Sequence, residues 1–289
     1  MNRQRLAIWA GAILGVGCAL LLVGYAHASD YSGKVTEEFH HTYPLSPGGR
    51  IELDNVNGDV HITGWDRDEV KVDAVKYAHS KEQLSDVEIQ VDASSSSVSI
   101  RTKYHSHNHW FGTGNHDSAS VAYTLTVPHN AWLDEIKLVN GPLDIHGVAG
   151  EVHASCVNGK LFAEGLQGRV QLSTVNGRTE ARFDRLSDSP IELSSVNGSI
   201  ELVLPSDARA RLEASTVSGG IDNDFGFHSN SHRWVGHNLD GELGSGGPHI
   251  KLSNVNGRID IRHANDGKAL SPVKDLSHRD RDDDNDDEI

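Results

Sequence analysis

The tripeptide Val-Asn-Gly occurs six times in 289 residues, at Val56, Val139, Val157, Val175, Val196 and Val255, and a seventh copy at Val217 reads Val-Ser-Gly. Successive copies lie 83, 18, 18, 21, 21 and 38 residues apart. A period near 20 residues is the signature of a repeat architecture. It also argues against an enzyme, because a stack of similar units has no obvious catalytic centre.

Aligned on the Val, the copies form columns. Ile51, Val152, Val170, Ile191, Leu212 and Ile250 stand five before it, with Asp134 the exception. Leu53, Ile136, Ala154, Leu172, Leu193, Ala214 and Leu252 stand three before, and Val60, Leu143, Leu161, Ile200, Ile221 and Ile259 four after, with Thr179 the exception. Apolar residues two apart mark a strand with one buried face. The columns between are polar: Ser155, Ser173, Ser194, Ser215 and Ser253 two before the Val, and Asp144, Glu180, Glu201, Asp222 and Asp260 five after. These are expected to face water. The Val breaks the two-residue phase, so the chain is expected to turn there, and Asn and Gly tolerate the positive φ of a tight corner. The predicted structural corners are Asn57-Gly58, Asn140-Gly141, Asn158-Gly159, Asn176-Gly177, Asn197-Gly198, Ser218-Gly219 and Asn256-Gly257.

Two architectures fit. Asn-Gly between alternating strands is a strong hairpin signal, which allows a row of antiparallel hairpins. A single all-β solenoid with coils of 18–21 residues explains more, because stacking coils about 4.8 Å apart sets equivalent residues in columns. Such coils need neighbours to bury their apolar face.

The chain divides accordingly. Residues 1–28 read as a signal peptide or a retained anchor. Arg3 and Arg5 precede an apolar run from Leu6 to Val23, and Ala26-His27-Ala28 fits a small-residue cleavage site. Extended to Tyr25, the apolar run is long enough to anchor residues 6–25 in an inner membrane. Export to the periplasm or cell surface follows from either reading. Residues 29–50 form a lead-in and 51–263 the repeat domain. Within it 77–130 is irregular, with a short helix near Lys81–Asp86, strands around Val87–Val91 and Val98–Thr102 joined by a Ser94–Ser97 turn, and a further strand over 121–127 ended by Pro128, and 224–249 is a long loop. Residues 264–289 form a tail, so acidic from 275 onward that it is expected to be disordered. The net charge of −15 and the lack of a basic patch exclude nucleic acid as a partner. Cleavage removes Cys18 and leaves Cys156 alone, so the mature chain can form no internal disulfide.

The exported start, the strand Val121-Ala122-Tyr123-Thr124-Leu125-Thr126-Val127-Pro128, and the run Ile136-Lys137-Leu138-Val139-Asn140-Gly141 with the repeats after it resemble the bacterial putative-adhesin family of β-strand-repeat proteins. The resemblance covers roughly residues 50–263. It implies a solenoid-like fold and brings no catalytic residues, cofactor or defined ligand.

Three constellations bear on chemistry. His105, His107 and His109, with His116 nearby, would put imidazoles on one strand face, where zinc, copper or nickel could bind. Arg101 and Lys103 continue that face, as in an ordinary solvated strand. Asp222 and Asp224 resemble a carboxylate pair for glycoside cleavage, but Asp222 belongs to the outward acidic column. Trp65, Trp110, Trp132 and Trp234 fall mostly outside the columns, where they could stack on sugars or plug a solenoid end. The sequence therefore points to a non-enzymatic envelope module without a cofactor, binding an envelope protein or polysaccharide. A metal-binding protein and a polysaccharide-active enzyme are the alternatives.

Overall fold

The computed structural model describes residues 34–105, 119–231 and 236–276. β1 (Val35–Pro44) leads into β2 (Arg50–Asn57) and β3 (Val60–Trp65), which flank the first Asn-Gly. β4 (Glu69–Ala78), helix α1 (Lys81–Ser85), β5 (Val87–Ala93), β6 (Ser97–Tyr104) and β7 (Ser120–Pro128) follow. Four copies are then flanked in turn by β8 (Trp132–Asn140) and β9 (Leu143–His146), β10 (Val152–Asn158) and β11 (Leu161–Glu164), β12 (Val170–Asn176) and β13 (Thr179–Arg182), and β14 (Ile191–Asn197) and β15 (Ile200–Leu204). β16 (Ala210–Ser218) and β17 (Ile221–Asn223) flank the Ser-Gly copy. β18 (Asn230–Ser231), β19 (His237–Leu243), β20 (His249–Asn256), β21 (Ile259–His263) and β22 (Val273–Asp275) complete the chain.

The protein is all-β, with two large mixed sheets that do not close into a barrel. Each copy sends its upstream strand to the twelve-stranded sheet and its downstream strand to the ten-stranded one. Together they make one rung. Rungs pair in parallel and like with like: Val170 lies opposite Ile191, Leu172 opposite Leu193, Ser173 opposite Ser194 and Asn176 opposite Asn197. The inward residues of β12 and β14 (Val170, Leu172, Thr174; Ile191, Leu193, Ser195) are buried, and so are those of β15, Ile200, Leu202 and Leu204. Apolar side chains from both sheets share a single core.

The rungs do not stack in chain order. The last copy sits between two earlier ones: β20 pairs with β14 and β16, and β21 with β15 and β17. The first copy is enclosed in the same way, with β2 between β8 and β6, and β3 between β9 and β7. β6 and β7 thus form a rung that has no Val-Asn-Gly. Val98 and Ile100 take the places of Ile51 and Leu53, and the Tyr123 hydroxyl meets Thr102 Oγ1 at 2.8 Å inside.

Several boundaries differ from those read in the sequence. The lead-in contains β1, a ten-residue strand antiparallel to β4. Within 77–130, by contrast, the expected helix and the expected pair of strands are both present, as α1, whose N-cap Ser80 accepts from the Gln83 N–H, and as antiparallel β5 and β6. The expected loop at 224–249 contains β19, antiparallel to β16, because Leu239 and Leu243 supply a buried face. The expected disordered tail begins with ordered chain: Val273–Asp275 pair with β19.

Candidate binding face along the repeat edge

On the edge where the chain passes between the sheets, the repeat asparagines form a continuous ladder. The Nδ2 of Asn140 donates to Asn57 Oδ1 (2.8 Å), Asn158 to Asn140 (2.9 Å), Asn176 to Asn158 (2.8 Å), Asn197 to Asn176 (3.1 Å) and Asn256 to Asn197 (3.0 Å). Backbone bonds run beside it, such as Gly198 N–H to Asn256 C=O at 3.0 Å. Ser218 lies opposite Asn256 in the last rung of the edge, so the one copy that lacks Asn stands where the ladder stops. Gly198 has φ +154°, and a Cβ there would stand 1.8 Å from the Gly177 carbonyl oxygen. The stack itself therefore demands glycine here, in addition to the local turn.

Immediately before each Val is an inward, buried residue: Asn55, Leu138, Cys156, Thr174, Ser195, Thr216 or Asn254. Several of these donate to backbone carbonyls of the neighbouring rung. Asn254 Nδ2 reaches Gly198 O at 2.8 Å, Thr216 Oγ1 reaches Gly257 O at 3.2 Å and Cys156 Sγ reaches Gly141 O at 3.4 Å. Thr174 Oγ1 bonds Thr179 Oγ1 at 2.9 Å and Ser195 Oγ at 3.1 Å, which explains Thr179 in an otherwise apolar column. Burial pushes the Cys156 thiol up to about 11, so it stays protonated at neutral pH and makes a poor nucleophile.

The Val itself does not break the alternation. It continues the outward phase of the twelve-stranded sheet, and the phase changes at Asn-Gly. The consequence is a row of solvent-facing valines, Val157, Val175, Val196, Val255 and Val217, between 37% and 53% exposed. Beside them runs the Ser column. The two rows flank a groove of about 360 Å³ that crosses four rungs, with Ser155, Ser173, Ser194 and Ser253 on one side and Val157, Val175, Val196 and Val255 on the other. Extending the outward phase of each strand by two residues past the Ser would have found this row in the sequence.

The outer face of the ten-stranded sheet is charged but internally paired. Glu180, expected to face water, is buried: Arg182 Nη2 lies 2.6 Å from it, Lys160 Nζ 3.3 Å and Arg178 Nε 3.9 Å. Burial pushes its carboxyl up, but Arg182 and Lys160 outweigh this and hold it below its ordinary value. His61 Nδ1 meets Asp144 Oδ2 at 3.0 Å, and that hydrogen bond raises the imidazole above its ordinary value. Asp222 and Asp224 are engaged by separate arginines, Arg258 at 3.0 Å and Arg262 at 2.8 Å. They do not form a shared acid pair.

Of the predicted metal residues, His107, His109 and His116 lie outside the described residues. β6 ends at Tyr104, and His105, just beyond it, approaches Glu88 at 3.6 Å. Among the described residues no group of three His, Cys, Asp or Glu is placed to hold a metal. Trp65 donates to the Glu69 carbonyl at 2.8 Å under the Arg67 guanidinium, and Trp132 is partly exposed beside Arg50; Trp110 and Trp234 fall outside the described residues.

No curated protein sequence matches the chain. Among solved structures, it is similar to a "putative cell adhesion protein" from Clostridium sporogenes, at 12% identity over 78% of this chain and 100% of that one, with a TM-score of 0.46. A "putative adhesin" from Bacteroides fragilis aligns at 16% identity over 78% of this chain and 97% of that one, with a TM-score of 0.27. A "putative lipid binding protein" from Parabacteroides distasonis aligns at 12% identity over 80% and 97%, with a TM-score of 0.30. Residues 155–262, which hold the in-register rungs, match the model of the Toastrack DUF4097 family.

Proposed function

We propose that this protein is an exported, non-enzymatic β-solenoid module of the cell envelope that binds an extended partner along its repeat edge. One observation carries this reading: the groove across four adjacent rungs in which four Ser and four Val recur at the same two positions. Parallel strands about 4.8 Å apart present such groups at a fixed spacing. A polysaccharide or an extended segment of an envelope protein can meet several rungs at once, whereas catalysis needs unlike groups converging on one point. The valines have no polar duty in the fold, and solvent-facing apolar rows of this kind mark interaction surfaces. Export rests on Arg3, Arg5, the apolar run from Leu6 and Ala26-His27-Ala28. Among the described residues, no helix is long and apolar enough to cross a membrane.

The test is retention of envelope proteins and polysaccharides on the immobilised protein, beside a Val175→Asp/Val196→Asp variant whose circular dichroism matches wild type. Loss of retention in the variant supports the groove. Equal retention, or turnover of a polysaccharide by the wild type, overturns it. Mass spectrometry of envelope-derived protein checks export, with a mature start at Ser29 expected after cleavage.

A further inference from the structure

Strand β1 ends the ten-stranded sheet, and among the described residues it pairs only with β4. Its ten residues are mostly exposed. A long, flat, open edge is a template for pairing with another chain, and proteins usually blunt it with like charges or proline. β1 reaches its only proline, Pro44, at its last residue, and its charges follow a different plan.

Residues 36–42 read Thr-Glu-Glu-Phe-His-His-Thr. Set antiparallel to an identical strand with Phe39 opposite Phe39, this segment complements itself. Glu38 faces His40, Glu37 faces His41, Thr36 faces Thr42 and Val35 faces Tyr43, each pairing occurring twice. The strand also sorts these pairs by face. Phe39, His41 and Tyr43 share one side, with ring centroids 4.6 and 6.0 Å apart, and Val35, Phe39 and Tyr43 pack partly onto the core. Glu38 and His40 share the other, 3.1 Å apart. Sliding the pair by two residues is the smallest step that keeps both faces aligned. It sets Glu38 against Glu38 or His40 against His40, and like charges directly opposite are destabilising. One register therefore stands out.

The charges of β4 do not disturb this plan. Lys76 meets Glu37 at 2.9 Å, while Asp73 meets His40 at 2.8 Å and Lys71 at 2.7 Å. Glu37, Glu38 and His40 each have an opposite charge on the inner flank or along the strand, His41 lies between the Phe39 and Tyr43 rings, and a second copy would supply an opposite charge to each on the outer flank.

We propose that β1 is a homodimer interface, its free edge pairing antiparallel with β1 of a second copy about a two-fold axis at Phe39. The two ten-stranded sheets then become one continuous sheet. A two-fold interface of this kind is self-complementary by construction.

Sedimentation of the full chain in mild detergent reads the oligomeric state. A dimer is expected, and a monomer across the accessible concentration range overturns the proposal. Register is read by mild oxidation in a Cys18→Ser background. Phe39→Cys is expected to cross-link to itself, Thr42→Cys alone is not, and a mixture of Thr36→Cys with Thr42→Cys is. Cross-linking that ignores position overturns the register. Finally, Glu37→Lys/Glu38→Lys and His40→Glu/His41→Glu chains are each expected to self-associate about tenfold more weakly. An equimolar mixture restores association, because every swapped charge again meets its opposite. Failure of the mixture, with each chain folded by circular dichroism, overturns the charge pairing.

Discussion

Gly198 shows how far one position can be constrained by its neighbour in the stack. A side chain there would have to displace the Gly177 carbonyl, at 1.8 Å from its Cβ, and would hold a strained backbone as well. Gly198→Val is expected to cost about 3 kcal/mol, read as a lower urea midpoint. Unchanged stability would mean that the stack relaxes without loss. The His61–Asp144 pair carries a pH signature. His61 is raised above its ordinary 6.5 by Asp144, so its contribution is complete below 6.5 and fades as pH rises through the folded value. Burial pushes Asp144 up, but His61 outweighs it and leaves the carboxyl below its ordinary 3.8, so its contribution is lost only in stronger acid. The pair therefore helps most between these limits. His61→Ala should lower the melting temperature more at about pH 5.5 than at about pH 8, and an equal loss at both would show that packing alone is at stake. At this scale the sequence displayed most of what mattered: the inward columns, the glycines and the serines were all in view. The valines were misread because a corner and an outward position look alike when the next residues are Asn and Gly. Glu180 was misread because its burial comes from Lys160 and Arg182, side chains on its own outer face, which column periodicity does not register.

Strand pairing followed the columns, but rung order did not. The rungs of β14, β16 and β20 offer the same apolar spacing and differ at the corner only by Ser218 in place of Asn, so by apolar pattern the registers β14 to β20 and β14 to β16 are equally acceptable. What decides is β19. It lies antiparallel on the outer edge of β16, so the returning chain finds its open place between β14 and β16. The rung of β6 and β7 escaped notice because the segment between those strands, 105–119, replaces the Asn-Gly on which the alignment was anchored. A chain ending at residue 248 lacks β20 and β21 and leaves four strands facing an empty place. It should be insoluble or unfolded by circular dichroism, while a chain ending at 276 should melt like the full one. A well-folded 1–248 fragment would show that the earlier rungs close up in chain order.

For the whole repeat domain, interleaving makes the two ends of the sequence interdependent. Stacks built in chain order are expected to lose terminal units first. Here the first and last copies are both interior, so fluorescence and far-UV circular dichroism should report one coincident urea transition. Two separated transitions would show that the units on either side of the last copy melt independently. Folding should be slow, since the last copy reaches its place only after distant strands have met. The same threading decides how the domain carries tension. A pull on either terminus first meets β1 or β22, which among the described residues are held along one side only. Next in line are β2 and β21, each hydrogen-bonded along both sides, which must be dragged lengthwise past two neighbours at once and cannot be unzipped one bond at a time. A tether built this way yields a little and then holds.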